Sequence, residues 1–334
     1  MRQLINIPMT ARPLLAITKD VQEVIGLDEI EERSQSGKQQ TAYWGVEPNQ
    51  EPDLRLVLPL LKLRDLVHAD LDVVVFLADV HAFLNRGLHW LDGIDRSLAR
   101  INWYKLVITA VMRRLGVKSS DFRFVLGSDL QLERRYTLDL YKFMTIATVS
   151  QAKKASATVM KQEKDPKVSS VCYSMLQVLD QTAVGASIEV GTIEQRGIYQ
   201  FARETAFELG YEQCAYLMHA KLPSLSKPGA APLYIGLTDS KVKIAEQVKR
   251  AFCVHRDCNL EWSPCLSMLK LICFPVLERV GTFESFDDLI AAWSEGGISV
   301  VELKDLLVDS LDEVLDSVRE ELLLETNAYF QAYQ

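Results

Sequence analysis

Along the first two thirds of the chain, short runs of β-branched and aromatic residues alternate with helix-length amphipathic stretches. Thr41 to Val46, Val73 to Val80, Arg123 to Leu126, Ser187 to Ile193 and Ala215 to His219 read as strands. Val73-Val-Val-Phe-Leu and Arg123-Phe-Val-Leu are nearly continuous apolar runs. A strand covered by helices on both faces has no solvent side and so shows no polar alternation. The pattern predicts an α/β fold built on a Rossmann-type, doubly wound parallel sheet over residues 1–222.

Beyond Ala220 the pattern changes. Lys221-Leu-Pro-Ser-Leu-Ser-Lys-Pro-Gly-Ala-Ala-Pro is rich in residues that neither a helix nor an inner strand tolerates, so residues 223–238 read as a loop or linker. From Asp239 the spacing is helical: Ile244, Val248, Ala251 and Phe252 share one face, and Leu303, Leu307, Leu311, Val314 and Leu315 another. A helical second domain over 239–334 is expected.

Composition narrows the class. With 334 residues, 48% hydrophobic and 25% charged, the chain can bury a full core, which excludes collagen-like, coiled-coil and wholly disordered readings. A net charge of -8 argues against a DNA partner or a general nucleic-acid coat. Within that acidic background Lys153 and Lys154, followed by Lys161, Lys164 and Lys167, form a candidate phosphate-contacting patch; a solvated helix face is the plain alternative.

The start lacks a basic-then-apolar leader pattern, and the apolar runs fall far short of the roughly 20 residues a membrane helix needs. Six cysteines then suit a reduced, cytoplasmic compartment, with no membrane partner. Cys253-x-His255-x-x-Cys258, with Cys265 and Cys273, has the residue types of a zinc site. We expect no metal and no cofactor, because Cys253 also reads as a helix-end cysteine.

Several segments together resemble one family. Ile17-Thr-Lys-Asp-Val-Gln-Glu-Val-Ile-Gly, Tyr43-Trp-Gly, Leu58-Pro-Leu-Leu-Lys-Leu-Arg-Asp, Leu77-Ala-Asp-Val-His-Ala-Phe-Leu, Gly127-Ser-Asp-Leu-Gln-Leu, Tyr173-Ser-Met-Leu-Gln-Val-Leu-Asp and Glu194-Gln-Arg occur in order. In this order they resemble the tyrosyl-tRNA synthetases of the archaeal and eukaryotic cytosolic type, from about residue 14 onward. The resemblance implies a tyrosine pocket in which Tyr43 and Asp180 meet a phenolic hydroxyl, Tyr173 and Gln177 meet an α-amino group, and Glu189, Glu194 and Gln195 complete the binding site.

Tyr173, Gln177 and Asp180 are spaced i, i+4 and i+7, so a helix puts them on one face. Without the resemblance that face is a partly polar core stripe. Tyr136 to Met144 and the helix after Ala152 resemble the family's subunit interface and imply a homodimer. Phe283, Phe286 and Glu302 fall where the family reads an anticodon, so they are candidate tRNA contacts along with Lys153 and Lys154; stacking on an unpaired base and accepting from guanine are the expected roles.

The chain departs from the family where the family handles ATP. Asp53, Leu54, Arg55 and Leu56 occupy the place of a His-Ile-Gly-His signature, and Ser224-Leu-Ser-Lys-Pro-Gly-Ala-Ala-Pro replaces a Lys-Met-Ser-Lys-Ser loop. Arg55 is too large for adenine to approach the backbone, and Asp53 or Glu51 would repel a triphosphate. Glu189 stands where the family has glutamine, Glu194 where it has aspartate and Glu47 where it has a small residue. Three carboxylates, Glu47, Asp180 and Glu189, would then face a site made for one amino acid and favour a cationic guest such as arginine.

Three functions fit. The first is an aminoacyltransferase that takes two pre-charged aminoacyl-tRNAs and forms a cyclic dipeptide without ATP, as cyclodipeptide synthases of this fold do. Glu47 would then be a base beside Tyr173 and Gln177 as catalytic residues, because no serine or cysteine lies between Ser36 and Ser97. The second is an inactive paralogue that binds tRNA or protein, and the third a noncanonical tyrosyl-tRNA synthetase.

Overall fold

Six segments pair into one sheet in the computed structural model, which describes residues 12–86, 94–159, 165, 167–254, 257–260 and 263–333. They are β1 (Glu23–Ile25), β2 (Thr41–Val46), β3 (Asp72–Leu77), β4 (Arg123–Leu126), β5 (Ile188–Thr192) and β6 (Ala215–His219). The spatial order is β1-β6-β5-β2-β3-β4, parallel throughout except for β1, which runs antiparallel to β6. Chain order reverses between β2 and β5, and a crevice at the carboxyl ends of the strands opens at such a switch point.

The sheet differs from the expectation at two places. β1 has only three residues, all half-buried, which is too short to carry a period. β3 stops at Leu77 because Asp79 begins the next helix, where its carboxylate accepts from the Ser128 amide at 2.8 Å.

The helices of the α/β part are α1 (Arg12–Thr18), α2 (Leu27–Gln35), α3 (Val57–His68), α4 (Asp79–Arg86), α5 (Ile94–Arg114), α6 (Gly127–Gln131), α7 (Arg134–Ile146), α8 (Val149–Ala155), α9 (Val168–Val184) and α10 (Arg196–Leu209). Side chains alternate across β6: Ala215 and Leu217 join the apolar cluster of α3 and α5, while Tyr216 and Met218 join that of α7 to α10. That is the period of two a strand imposes, with a helical layer on each face. Each aliphatic side chain so buried contributes about 1.5–3 kcal/mol. Gly185 ends α9 with φ 74°, the left-handed conformation a glycine adopts without a Cβ penalty.

The remaining chain is helical: α11 (Lys241–Lys249), α12 (Pro264–Met268), a π-helical turn at Leu269–Cys273, α13 (Phe274–Val276), α14 (Phe286–Glu295), α15 (Val300–Leu323) and α16 (Thr326–Tyr333). Its apolar face continues the cluster of α3 and α5, and the Tyr329 ring of α16 meets Trp103 of α5 edge-on at 5.4 Å. Residues 223–238 are tied down at both ends: Leu222, Leu225, Ile235 and Leu237 are buried, and the Phe252 amide donates to Leu225 O at 2.8 Å. Among the described residues no helix is long and apolar enough to cross a membrane.

Candidate functional site at the β2/β5 switch point

Tyr43 on β2, Glu189 on β5 and the polar face of α9 meet where the strand order reverses. The spacing read from the sequence places Gln177 and Asp180 side by side, both almost fully buried. Asp180 is the hub. Its Oδ1 accepts from Gln131 Nε2 at 2.8 Å and from the Tyr136 hydroxyl at 2.7 Å, and its Oδ2 accepts from His81 Nε2 at 2.7 Å. Burial pushes the His81 imidazole down, but the Asp180 carboxylate outweighs it and leaves the pKa above the ordinary value. Tyr136 is therefore a buried site residue on α7 as well as part of the segment expected at a subunit interface.

A second carboxylate is held at the mouth. Glu47 follows β2, and its Oε1 accepts the Tyr173 hydroxyl at 2.6 Å; its Oε2 accepts from Asn49 Nδ2 at 2.5 Å and from Asn85 Nδ2 at 3.1 Å. Glu47 is thus turned into the site. Burial, then the Glu47 charge, raise the Tyr173 pKa well above the ordinary range, and Asp180 and Glu189 add to it. The Tyr173 proton stays on oxygen and is donated. The His81 ring stands edge-on to Tyr173 with centroids 4.8 Å apart.

The third carboxylate is also buried. Glu189 Oε1 accepts from Gln177 Nε2 at 2.8 Å, and burial pushes its carboxyl up to about 8. Three acidic side chains gathered here favour a cationic or hydrogen-bond-donating guest. Gly191 on β5 admits the Tyr199 hydroxyl and Gln195 Oε1, which a Cβ there would strike.

Other residues singled out from the sequence have work outside this cluster. Glu194 pairs with Lys221 at 2.7 Å, and Gln195 Oε1 accepts from the Thr192 amide at 2.9 Å, capping the turn after β5. Lys153 and Lys154 lie in the last turn of α8, with Lys154 exposed, whereas Lys161 and Lys164 lie outside the described residues. Phe283 is half-buried against the core, and Phe286 packs edge-on to Phe274 at 5.9 Å with Lys270 over its face. Glu302 closes a capping box at the start of α15, its Oε2 accepting from the Ser299 amide at 2.8 Å. His255 lies outside the described residues; among the described residues no group of three His, Cys, Asp or Glu side chains could hold a metal.

His81, Gln131, Asn49, Asn85 and Tyr199 were given no role by the sequence reading. His81 and Gln131 sit inside the quoted segments Leu77-Ala-Asp-Val-His and Gly127-Ser-Asp-Leu-Gln, which was the available signal.

The segment in the place of the first ATP signature is joined to residues 234–236, just after the Ser224–Pro232 stretch. Asp53 caps a short turn at Leu54–Leu56, and its carboxylate accepts Arg55 Nε at 2.8 Å and Nη2 at 2.5 Å. The Leu54 amide donates to Ile235 O at 2.8 Å, Asp53 bridges Gly236, and the Arg55 guanidinium lies 4.0 Å from the Tyr234 ring centroid.

This architecture recurs in known proteins. Residues 35–316 match the family described as tRNA synthetases class I (W and Y). A tyrosine–tRNA ligase of Natronomonas pharaonis is 31% identical over 95% of this chain and 96% of its own length, and a probable cytoplasmic tyrosine–tRNA ligase of Encephalitozoon cuniculi is 29% identical over 96% and 98%. The crystal structure of the Archaeoglobus fulgidus tyrosyl-tRNA synthetase complexed with L-tyrosine superposes with a TM-score of 0.85 at 28% identity, covering 94% of this chain and 99% of that one. With the fold and nearly the whole length shared, the chain belongs to the tyrosyl-tRNA synthetase branch of the class I tRNA synthetases.

Proposed function

We propose that this protein takes amino acids already esterified to tRNA and joins two of them into a cyclic dipeptide, with no ATP and no cofactor, in the cytoplasm. The observation that carries the reading is the closure of residues 53–55 onto residues 234–236 beside a cluster of three acidic side chains, Glu47, Asp180 and Glu189. An aminoacyl ester is already activated, so the protein needs only to orient an amine, move a proton and stabilise an oxyanion.

In the first step the free amine of one aminoacyl-tRNA attacks the ester carbonyl of the other. A C–N bond forms, the ester C–O bond breaks, and the ribose oxygen leaves with a proton. The new amino terminus then attacks the remaining ester, closing the ring and freeing the second tRNA. Glu47 accepts the amine proton and Tyr173 carries the proton toward the departing oxygen, the pair being already hydrogen-bonded. Gln177 orients the substrate amine, and Glu189 with Asp180 favours an arginine side chain in the pocket.

Lys153, Lys154, Phe283, Phe286 and Glu302 are the proposed tRNA contacts, with residues 239–334 as a docking module beside the catalytic part at 1–222. Homodimerisation is supported by the exposed apolar side chains of Leu138, Tyr141 and Met144 along α7.

Mass spectrometry of medium from a bacterium expressing the protein tests the reading: a diketopiperazine absent from the Tyr173→Phe, Gln177→Ala double variant is expected. No new product from soluble protein would overturn it. A second reading, tyrosine–tRNA ligase activity, is favoured by the names of the relatives and by the presence of Tyr43, Tyr173, Gln177 and Asp180 together. Tyrosine-dependent exchange of pyrophosphate into ATP would establish that reading instead.

A further inference from the structure

On the opposite face of the sheet from the amino-acid pocket, a cavity of about 310 Å³ lies between the end of β6, α3 and the π-helical turn at Leu269–Cys273. Leu58, Leu61 and Lys62 present one face of α3 to it; Leu271 and Pro275 close it from the other side. That volume suits a small organic molecule. A π-helical turn is a rare irregularity that recurs at functional sites, and here it brings Lys270 and Leu271 to the cavity wall.

The polar groups around the cavity say what it would hold. His219, 5% exposed, uses Nδ1 to donate to Ala220 O at 2.9 Å, so its Nε2 is a bare acceptor, and Nε2 has no partner among the described residues. Burial lowers the imidazole pKa and keeps it neutral. Lys62 is buried and donates to Lys19 O at 2.7 Å and Ala16 O at 3.4 Å, and Lys270 lies at the rim. Among the described residues neither lysine is ion-paired to a carboxylate. Asp20 and Asp65 also line the cavity, but each is neutralised by a cation, Asp65 by Arg64, itself a lining residue, at 2.8 Å and Asp20 by Lys19 at 3.3 Å. The walls are otherwise mostly aliphatic.

We infer that this cavity is a second ligand site, for a small carboxylate with an apolar body and a hydroxyl donor: the carboxylate meets Lys62 and Lys270, the hydroxyl donates to His219 Nε2, and the body fills the space against Leu58, Leu61 and Leu271. The site shares no side chain with the proposed catalytic cluster and stands independently of that activity. A buried acceptor left without a donor costs stability, which a ligand hydroxyl recovers.

Titration calorimetry of the whole protein with L-3-phenyllactate, and with 3-phenylpropionate lacking the hydroxyl, tests it. Saturable binding of phenyllactate is expected, with phenylpropionate about tenfold weaker for one lost hydrogen bond. In the unmodified protein the His219 imidazole ¹⁵Nε2 resonance should move on addition of phenyllactate. Leu61→Trp, which fills the cavity, should abolish binding, and His219→Phe should weaken phenyllactate about tenfold and erase its advantage over phenylpropionate, thermal midpoints reporting that the fold is kept. No saturable binding of phenyllactate, equal binding of the two acids, or binding that survives Leu61→Trp would overturn the assignment.

Discussion

The Tyr173 hydroxyl donates to Glu47 Oε1 at 2.6 Å while the other Glu47 oxygen is held by Asn49 and Asn85. Two residues 126 positions apart are thus fixed as a donor and acceptor pair at the mouth of the pocket. Under the proposed chemistry, Tyr173→Phe and Glu47→Gln should each lower cyclic-dipeptide formation by roughly 10²–10⁴, the usual range for a positioned acid or base. Their thermal midpoints should stay close to that of the unmodified protein. Asn85→Ala, which releases only the clamp, should give a smaller loss and shift the pH profile of the reaction. Unchanged product from Glu47→Gln would remove Glu47 as the base.

Glu189 gives the fold a pH dependence whose sign can be worked out. Its carboxyl is pushed up to about 8 by burial, whereas the unfolded chain ionises near 4.5. Between these values the folded state holds a proton that the unfolded state has lost, so the contribution of Glu189 to stability is greatest below about pH 4.5 and falls as pH rises toward 8. The loss is on the order of a few kcal/mol. Glu189→Gln should flatten this slope in denaturant melts at pH 5, 6.5 and 8. Conversely, methylguanidinium, always cationic, should bind more tightly as pH approaches 8, because Glu189 must ionise to receive it.

The seam between Asp53–Arg55 and Tyr234–Gly236 should exclude ATP. Calorimetry at millimolar ATP is expected to show no saturable binding, and tyrosine-dependent pyrophosphate exchange should be undetectable. Arg55→Gly removes both the carboxylate contact and the stacking on Tyr234. The Leu54 amide, which donates to Ile235 O, should then exchange its hydrogen faster than in the unmodified protein.

Gly191 is required by space. A methyl group there would collide with the Tyr199 hydroxyl and Gln195 Oε1. Gly191→Ala should therefore destabilise the protein by about 1–3 kcal/mol and weaken whatever the pocket binds, read together by thermal melts and substrate titration. Gly229, where nothing lies within 4 Å of an added Cβ, has φ +83°, so Gly229→Ala tests backbone strain without the collision and should leave the pocket's affinity unchanged.

By itself the sequence determined strands β2 to β6 and the helical face of the site. Continuous apolar runs such as Val73 to Leu77 can persist only between two helical layers, and i, i+4, i+7 spacing puts Tyr173, Gln177 and Asp180 on one side of a helix whatever surrounds it. Both are local consequences of backbone period. The motifs also made the family legible.

Only the tertiary structure decided where the charges go. Asp180 is bound by His81, Gln131 and Tyr136, from three different helices, and Glu47 is turned inward by Asn49 and Asn85. Glu302 is spent on a helix cap, and Glu194 on Lys221. A short antiparallel β1 was likewise invisible, because three residues carry no period. Hydrogen-bond partners far apart in sequence leave no local pattern, and a carboxylate reads the same whether it caps a helix, pairs on the surface or waits in a pocket.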